Sequence, residues 1–206
     1  MILYLHGFAS GPTSRKAQFF RSCFAKLGIP LEIPDLTEGD FEHMTISRQL
    51  DIIRRMVGDR KVSFIGSSLG GYLAAAYAAR YPGPQRLVLL APAFAFLSRW
   101  PAALGVDRME EWKRTGALSF YHYADRRDRK LSYRFIEDGR CYEDFPDVQQ
   151  PTLIIHGRND TTVPCELSQA FAKGRQNVEL ELVDSDHELT DVLDHLWSRI
   201  SQFLLA

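Results

Sequence analysis

Short β-rich apolar runs alternate with helix-patterned segments along most of this chain, and that alternation constrains its fold more than any other feature. Ile2–Leu5, Leu31–Ile33, Val62–Ile65, Arg86–Ala91, Thr152–His156 and Val178–Val183 read as strands. Between them, Thr13–Leu27 places Ala17, Phe20, Phe24 and Leu27 at helical spacing, and Thr45–Val57 carries the stripe Ile46, Leu50, Ile53 and Val57. Leu69–Arg80 is an alanine-rich helix that stops before Pro82, while Cys165–Lys173 and Leu189–Leu204 complete the helical set. Strands separated by helices build an α/β fold: a mostly parallel sheet of about six strands with helices on both faces and right-handed crossovers. Loops at the carboxyl ends of such strands meet along one edge, where sites form. A length of 206 residues suits one domain spanning 1–206.

Residues 94–150 break the rhythm. The segment is long, aromatic and charged, and it reads as an insertion over the sheet edge. Arg108–Thr115 is a candidate helix, and Ser119–Tyr123 and Leu131–Phe135 are candidate partners in a hairpin around the polar run Asp125–Lys130. The basic residues Arg126, Arg127, Arg129 and Lys130 then fall at a solvated tip.

Composition removes several classes of function. Apolar residues at 45% and charged residues at 25% are globular proportions, so disorder is excluded. A net charge of −1 gives no reason to expect a nucleic-acid partner. No apolar run approaches the roughly 20 residues of a membrane span. Met1–Leu5 is short and lacks a basic flank, so it reads as a strand and not as a signal peptide. Three widely spaced cysteines, Cys23, Cys141 and Cys165, favour a reducing cytoplasm over a disulfide scaffold. His43, His122, His156 and His195 show no H-x-x-x-H spacing, so no metal is expected. No loop has the makings of a nucleotide cradle, so no cofactor is expected either.

Gly66-Ser67-Ser68-Leu69-Gly70 follows a strand and opens a helix, which is the context that gives G-x-S-x-G its meaning. Ser68 is the candidate nucleophile. It would project from a sharp turn above a helix N-terminus, where N–H groups and dipole favour a developing oxyanion. Serine needs a base. His187 stands directly after the last strand run, in Asp184-Ser185-Asp186-His187. Asp160 follows the preceding strand and is the candidate acid that orients the base, with Asp184 and Asp186 as rivals close to His187. The order Ser68, Asp160, His187 is that of α/β-hydrolases, not of chymotrypsin or subtilisin. After the first strand, His6-Gly7-Phe8 offers the N–H of Phe8 as one oxyanion donor, with that of Leu69 as the other. His6 itself reads as a loop-holding histidine. Phe94, Phe96, Trp100 and Trp112 are candidates either to line an acyl pocket or to pack the insertion on the sheet.

On these segments the chain resembles the α/β-hydrolase superfamily, and within it the small bacterial YqiA/YcfP-type esterases. The likeness rests on Leu3-Tyr4-Leu5-His6-Gly7-Phe8, on Gly66 to Tyr72, on Leu153 to Pro164 and on Ser185-Asp186-His187. The same elbow and S-D-H block make it similar to mitochondrial serine hydrolases that cleave protein thioesters and acyl glucuronides. The resemblance implies a minimal α/β-hydrolase fold without the antiparallel hairpin that opens larger relatives. It implies a Ser68–His187–Asp160 triad, oxyanion donors at Phe8 and Leu69, and a cofactor-independent carboxylesterase or thioesterase acting on a small-molecule acyl ester or thioester. A non-catalytic receptor or interaction protein on the same fold is the alternative, since fold does not dictate function.

Overall fold

The computed structural model describes residues 1–205. Its central sheet contains β1 (Ile2–Leu5), β2 (Leu31–Glu32), β3 (Val62–Ser67), β4 (Pro84–Leu90), β7 (Thr152–Gly157) and β8 (Val178–Val183). These six strands lie in the order β2-β1-β3-β4-β7-β8, and every pairing is parallel. The remaining strands, β5 (Ala117–His122) and β6 (Arg127–Ser132), form a separate antiparallel pair. The sheet matches the expectation drawn from the alternating runs.

Burial on both faces explains why inner strands such as β1 and β7 read as continuous apolar runs, whereas the edge strand β8 alternates with Glu179 and Glu181. All four residues of β1 are buried. Ile2 and Tyr4 point to one side, joining Phe20 and Phe24 of α1 (Arg15–Lys26) and Leu196 and Ile200 of α8 (Leu193–Leu205). Leu3 and Leu5 point to the other, joining Leu50 and Ile53 of α2 (Ile46–Val57) and Leu73 and Ala76 of α3 (Leu69–Arg80). Thr45 starts α2 by accepting the Arg48 N–H at 3.1 Å, a side-chain cap of the usual kind. The small apolar α3 is buried from Leu69 to Ala78, as a helix apolar all round must be.

The last helix is shorter than its sequence pattern. Leu189 has φ of 53°, and Asp186 accepts the N–H groups of Glu188 at 2.9 Å and Leu189 at 3.3 Å. Residues 185–192 therefore form a loop, and the helix begins at Leu193.

Residues 94–150 depart further from the expectation. They hold α4 (Phe96–Leu104), α5 (Val106–Thr115), the β5–β6 hairpin and α6 (Arg134–Gly139). The second hairpin strand runs from Arg127 to Ser132, not from Leu131 to Phe135, with Ala117 opposite Ser132 and His122 opposite Arg127. Phe135 and Ile136 instead bury themselves from α6. Of the basic run, Arg126 occupies the turn with φ of 53°, while Arg127–Lys130 lie within the strand. The run is thus a hairpin edge and not a tip. The helix α4 carries Pro101 in its interior, which masks it in the sequence. A short α7 (Glu166–Ala172) links β7 to β8.

Candidate active site

The chain leaves β1 for β2 on one side of the sheet, then returns to β3 on the other side of β1. The crevice between the carboxyl ends of β1 and β3 is therefore a topological switch point, the usual place for a ligand in such sheets. His6-Gly7-Phe8 leaves one strand there and Ser68 leaves the other.

Ser68 has φ of 53° and ψ of −117°, a conformation that costs a non-glycine residue about 1–3 kcal/mol. Its surroundings hold it there. The Ser68 N–H donates to Leu90 O at 2.9 Å, while Ser68 O accepts from the N–H groups of Gly71 at 2.9 Å, Tyr72 at 3.1 Å and Ala93 at 3.0 Å. The flanking glycines are sterically required: a Cβ on Gly66 would lie 2.3 Å from Gly70 O, and one on Gly70 would lie 2.1 Å from Leu5 O. The turn thus seats α3 hard against β1 and β3, leaving the Ser68 side chain at the crevice.

The ends of β7 and β8 are pressed together in the same way. A Cβ on Gly157 would stand 2.3 Å from Ser185 O, and the Asn159 N–H donates to that oxygen at 3.0 Å. This approach joins the loops of Asp160 and His187. His187 Nδ1 lies 2.6 Å from Asp160 Oδ2, and its Nε2 lies 3.0 Å from Ser68 Oγ. The three residues singled out in the sequence are thus in one hydrogen-bonded chain. In the tautomer these contacts select, Nδ1–H donates to the carboxylate and Nε2 accepts from the hydroxyl. The rival acids are engaged elsewhere: Asp184 accepts from Asn159 Nδ2 at 2.8 Å, and Asp186 caps Glu188 and Leu189.

Asp160 is buried but richly partnered. Oδ1 accepts the N–H groups of Thr162 at 2.8 Å and Val163 at 2.7 Å. Oδ2 faces His187 and also His156 Nε2 at 3.0 Å. Burial pushes the carboxyl up, but the hydrogen bonds from His156, His187 and Val163 outweigh it and hold Asp160 well below the usual carboxylate range.

His156 escaped the sequence reading, which weighed it only as a metal ligand. It is fully buried, with Nδ1 2.7 Å from Ser168 Oγ and Nε2 also 2.9 Å from Val163 O. Its place in the His156-Gly157-Arg158-Asn159-Asp160 block was the available signal. Lys16 was missed as well. Its buried Nζ donates to Glu188 O at 2.5 Å, tying α1 to the residue after His187. Burial pushes the Lys16 ammonium below its ordinary value, against the pull of Glu188, Asp186 and Asp160.

The Phe8 loop after β1 and the Leu69 end of α3 approach Ser68, and both residues line a cavity beside it. Gly7 permits the approach, since its Cβ would be 3.3 Å from Ser68 Cβ. His6 stands behind the loop: Nε2 accepts the Leu36 N–H at 3.2 Å and Nδ1 donates to Gly7 O at 3.1 Å. Burial pushes its imidazolium down.

A cavity of about 180 Å³ opens beside Ser68. Phe96 and Trp100, two of the four aromatic candidates, line it, together with Phe8, Arg99 and Phe135, which the sequence reading did not assign to it. Phe94 and Trp112 are not on its wall. Phe94 stacks on Phe171 at 4.2 Å between centroids. Trp112 lies fully buried behind Trp100 and donates its indole N–H to Leu131 O at 2.8 Å. Both pack the insertion onto the sheet.

Residues 1–204 match a family described as an uncharacterised protein family, UPF0227. Among curated proteins, the chain is 31% identical over 157 residues to the serine hydrolase BPHL of Homo sapiens, an alignment covering 64% of this chain and 54% of that protein. The chain thus spans about half the length of the curated relatives it matches. Among solved structures it is similar to the mouse alpha/beta hydrolase domain-containing protein 10, with a TM-score of 0.80, 22% identity and coverage of 98% and 88% of the two chains. It is also similar to Est1E of Butyrivibrio proteoclasticus bound to ferulic acid, with a TM-score of 0.82, 21% identity and coverage of 99% and 87%. The fold is that of the α/β-hydrolases.

Proposed function

The chain belongs to the UPF0227 family, and on that footing we propose that it is a serine hydrolase of carboxylic esters or thioesters. The observation that carries this reading is the unbroken line Ser68 Oγ–His187 Nε2, 3.0 Å, and His187 Nδ1–Asp160 Oδ2, 2.6 Å, placed at the switch point beside an apolar cavity.

In this reading Ser68 Oγ attacks the acyl carbonyl while His187 Nε2 takes its proton. Asp160 holds the imidazole in the accepting tautomer and stabilises the imidazolium as it forms. The carbonyl oxygen becomes an oxyanion, which the N–H groups of Phe8 and Leu69 stabilise in this reading. Collapse breaks the bond to the alcohol or thiol, which leaves with the proton from His187. Water then gives a proton to His187 and adds to the acyl-Ser68 ester; the second collapse releases the acid and returns the proton to Ser68. Water is the only co-reactant, and the aromatic wall of the cavity suits the acyl portion.

Hydrolysis of a panel of ethyl esters and acyl thioesters of increasing chain length tests the proposal. Turnover that disappears in Ser68→Ala, with the fold retained by circular dichroism, supports it. The absence of turnover across the whole panel would favour a receptor or interaction protein on the same fold.

A further inference from the structure

The wall of the cavity beside Ser68 is mostly aromatic and aliphatic, with Thr162 its other hydroxyl besides Ser68 and Arg99 of α4 its one charged residue. Its guanidinium spends one bond inside the protein, from Nη2 to Thr162 O at 2.5 Å. A guanidinium has five N–H donors in a planar fork, so most of the fork is left over. Among the described residues no carboxylate lies within ion-pairing distance of it, whereas Arg48 and Arg199 pair with Asp40 and Glu181 at 2.8 and 2.7 Å. The nearest acid of the site, Asp160, already has both oxygens occupied by His156, His187 and two backbone N–H groups. Half-buried on that wall, the guanidinium keeps free donors for water or for an anionic group of a ligand in the cavity. Arginine is also the residue whose geometry matches a carboxylate on two parallel bonds.

We infer that Arg99 receives a carboxylate carried on the acyl chain, so that the substrates of this site are short esters or thioesters of dicarboxylic acids. The inference rests on the hydrolase reading above and names its substrate class. A volume of about 180 Å³ is below the roughly 300–1,000 Å³ of pockets for larger ligands, which limits the chain between the two carbonyl carbons. The scissile carbonyl sits at Ser68 and the free carboxylate at Arg99. Hydrolysis by the serine cycle then yields the dicarboxylate and the alcohol or thiol, and Arg99 takes no part in bond making.

The test compares monoethyl glutarate with ethyl pentanoate, two esters of equal chain length that differ in the terminal carboxylate, by pH-stat on the full chain. The wild type is expected to favour the glutarate by about 10- to 100-fold in kcat/KM, the scale of a charge-assisted contact. Arg99→Gln should lose that preference, with kcat/KM falling by about 10-fold or more further on the glutarate than on the pentanoate, while Arg99→Lys keeps part of the preference. A wild type that prefers the pentanoate overturns the inference. So does an Arg99→Gln that slows both esters alike, because Arg99 would then serve only to prop the Asp160 loop through Thr162 O. Fluorophosphonate labelling of Ser68 separates this failure from the larger one: a labelled Ser68 leaves the hydrolase reading standing, and an unlabelled one removes both.

Discussion

His156 Nε2 lies 3.0 Å from Asp160 Oδ2, on the carboxylate oxygen that also meets His187 Nδ1 at 2.6 Å. The acid of the candidate triad is therefore held between two imidazoles. In the tautomer that donates from Nε2 to Asp160, Nδ1 of a neutral ring accepts, and Ser168 Oγ, 2.7 Å from Nδ1, is placed to give it a hydroxyl proton. In the proposed mechanism His156 would act through Asp160, as a positioning residue.

Replacing His156 with Phe removes that donor and leaves the buried Ser168 hydroxyl without its partner. A hydrogen bond to a charged group contributes about 1.5–3 kcal/mol. Steady-state kinetics should show kcat lower by about 10-fold or more with KM little changed, and His156→Gln, which keeps a side-chain donor, should recover part of it. A variant that loses thermal stability yet keeps wild-type kcat would make His156 a purely structural residue.

Asp160→Asn should leave the fold intact and cost about 10⁴ in kcat, the scale seen when a serine-protease triad loses its acid and its tautomer. Asp186→Asn and Asp184→Asn should retain most of the activity, since their side chains face Glu188, Leu189 and Asn159. Hydrolysis rates of the three purified variants decide the matter. A nearly wild-type Asp160→Asn beside an inactive Asp186→Asn would reassign the acid.

Stability should fall as pH drops below neutral. His6 is buried and neutral in the fold, where its bare Nε2 accepts the Leu36 N–H, and burial pushes its pKa down. His122 shifts the same way, again through burial first. In the unfolded chain a histidine takes up its proton near pH 6.5. The unfolded state therefore binds more protons below that point, so the stabilisation present above about pH 6.5 is lost as pH falls towards the folded values. Urea titrations at pH 7.5 and pH 5 should show a lower midpoint in acid, and His6→Gln should flatten the difference. An unchanged midpoint in the wild type would contradict this account.

The sheet and the candidate triad were legible for physical reasons. Strands buried on both faces leave unbroken apolar runs such as Ile2–Leu5 and Leu153–Ile155, which no loop would carry. The glycine pattern around Ser68 follows from backbone contact closer than a Cβ allows. The insertion offered no such periodicity. Its hairpin register depends on Phe120 and Phe135 packing with Trp100 around Phe8, and those partners are remote in sequence. Pro101 hides α4, and with it Arg99. His156 was overlooked because a histidine that fills a core and one that holds a carboxylate look alike until the β7 and β8 loops meet.

In the proposed mechanism Ser68, and no other residue, forms the covalent bond to the acyl group. Ser67 is its neighbour but is buried within β3. Intact-mass and peptide analysis after treatment with a fluorophosphonate measures this directly. The account predicts one adduct per chain, mapped to Ser68, absent from Ser68→Ala and slowed severely in His187→Ala. An adduct that maps to Ser67 or persists in Ser68→Ala, or a wild type that takes up no label at all, would contradict it.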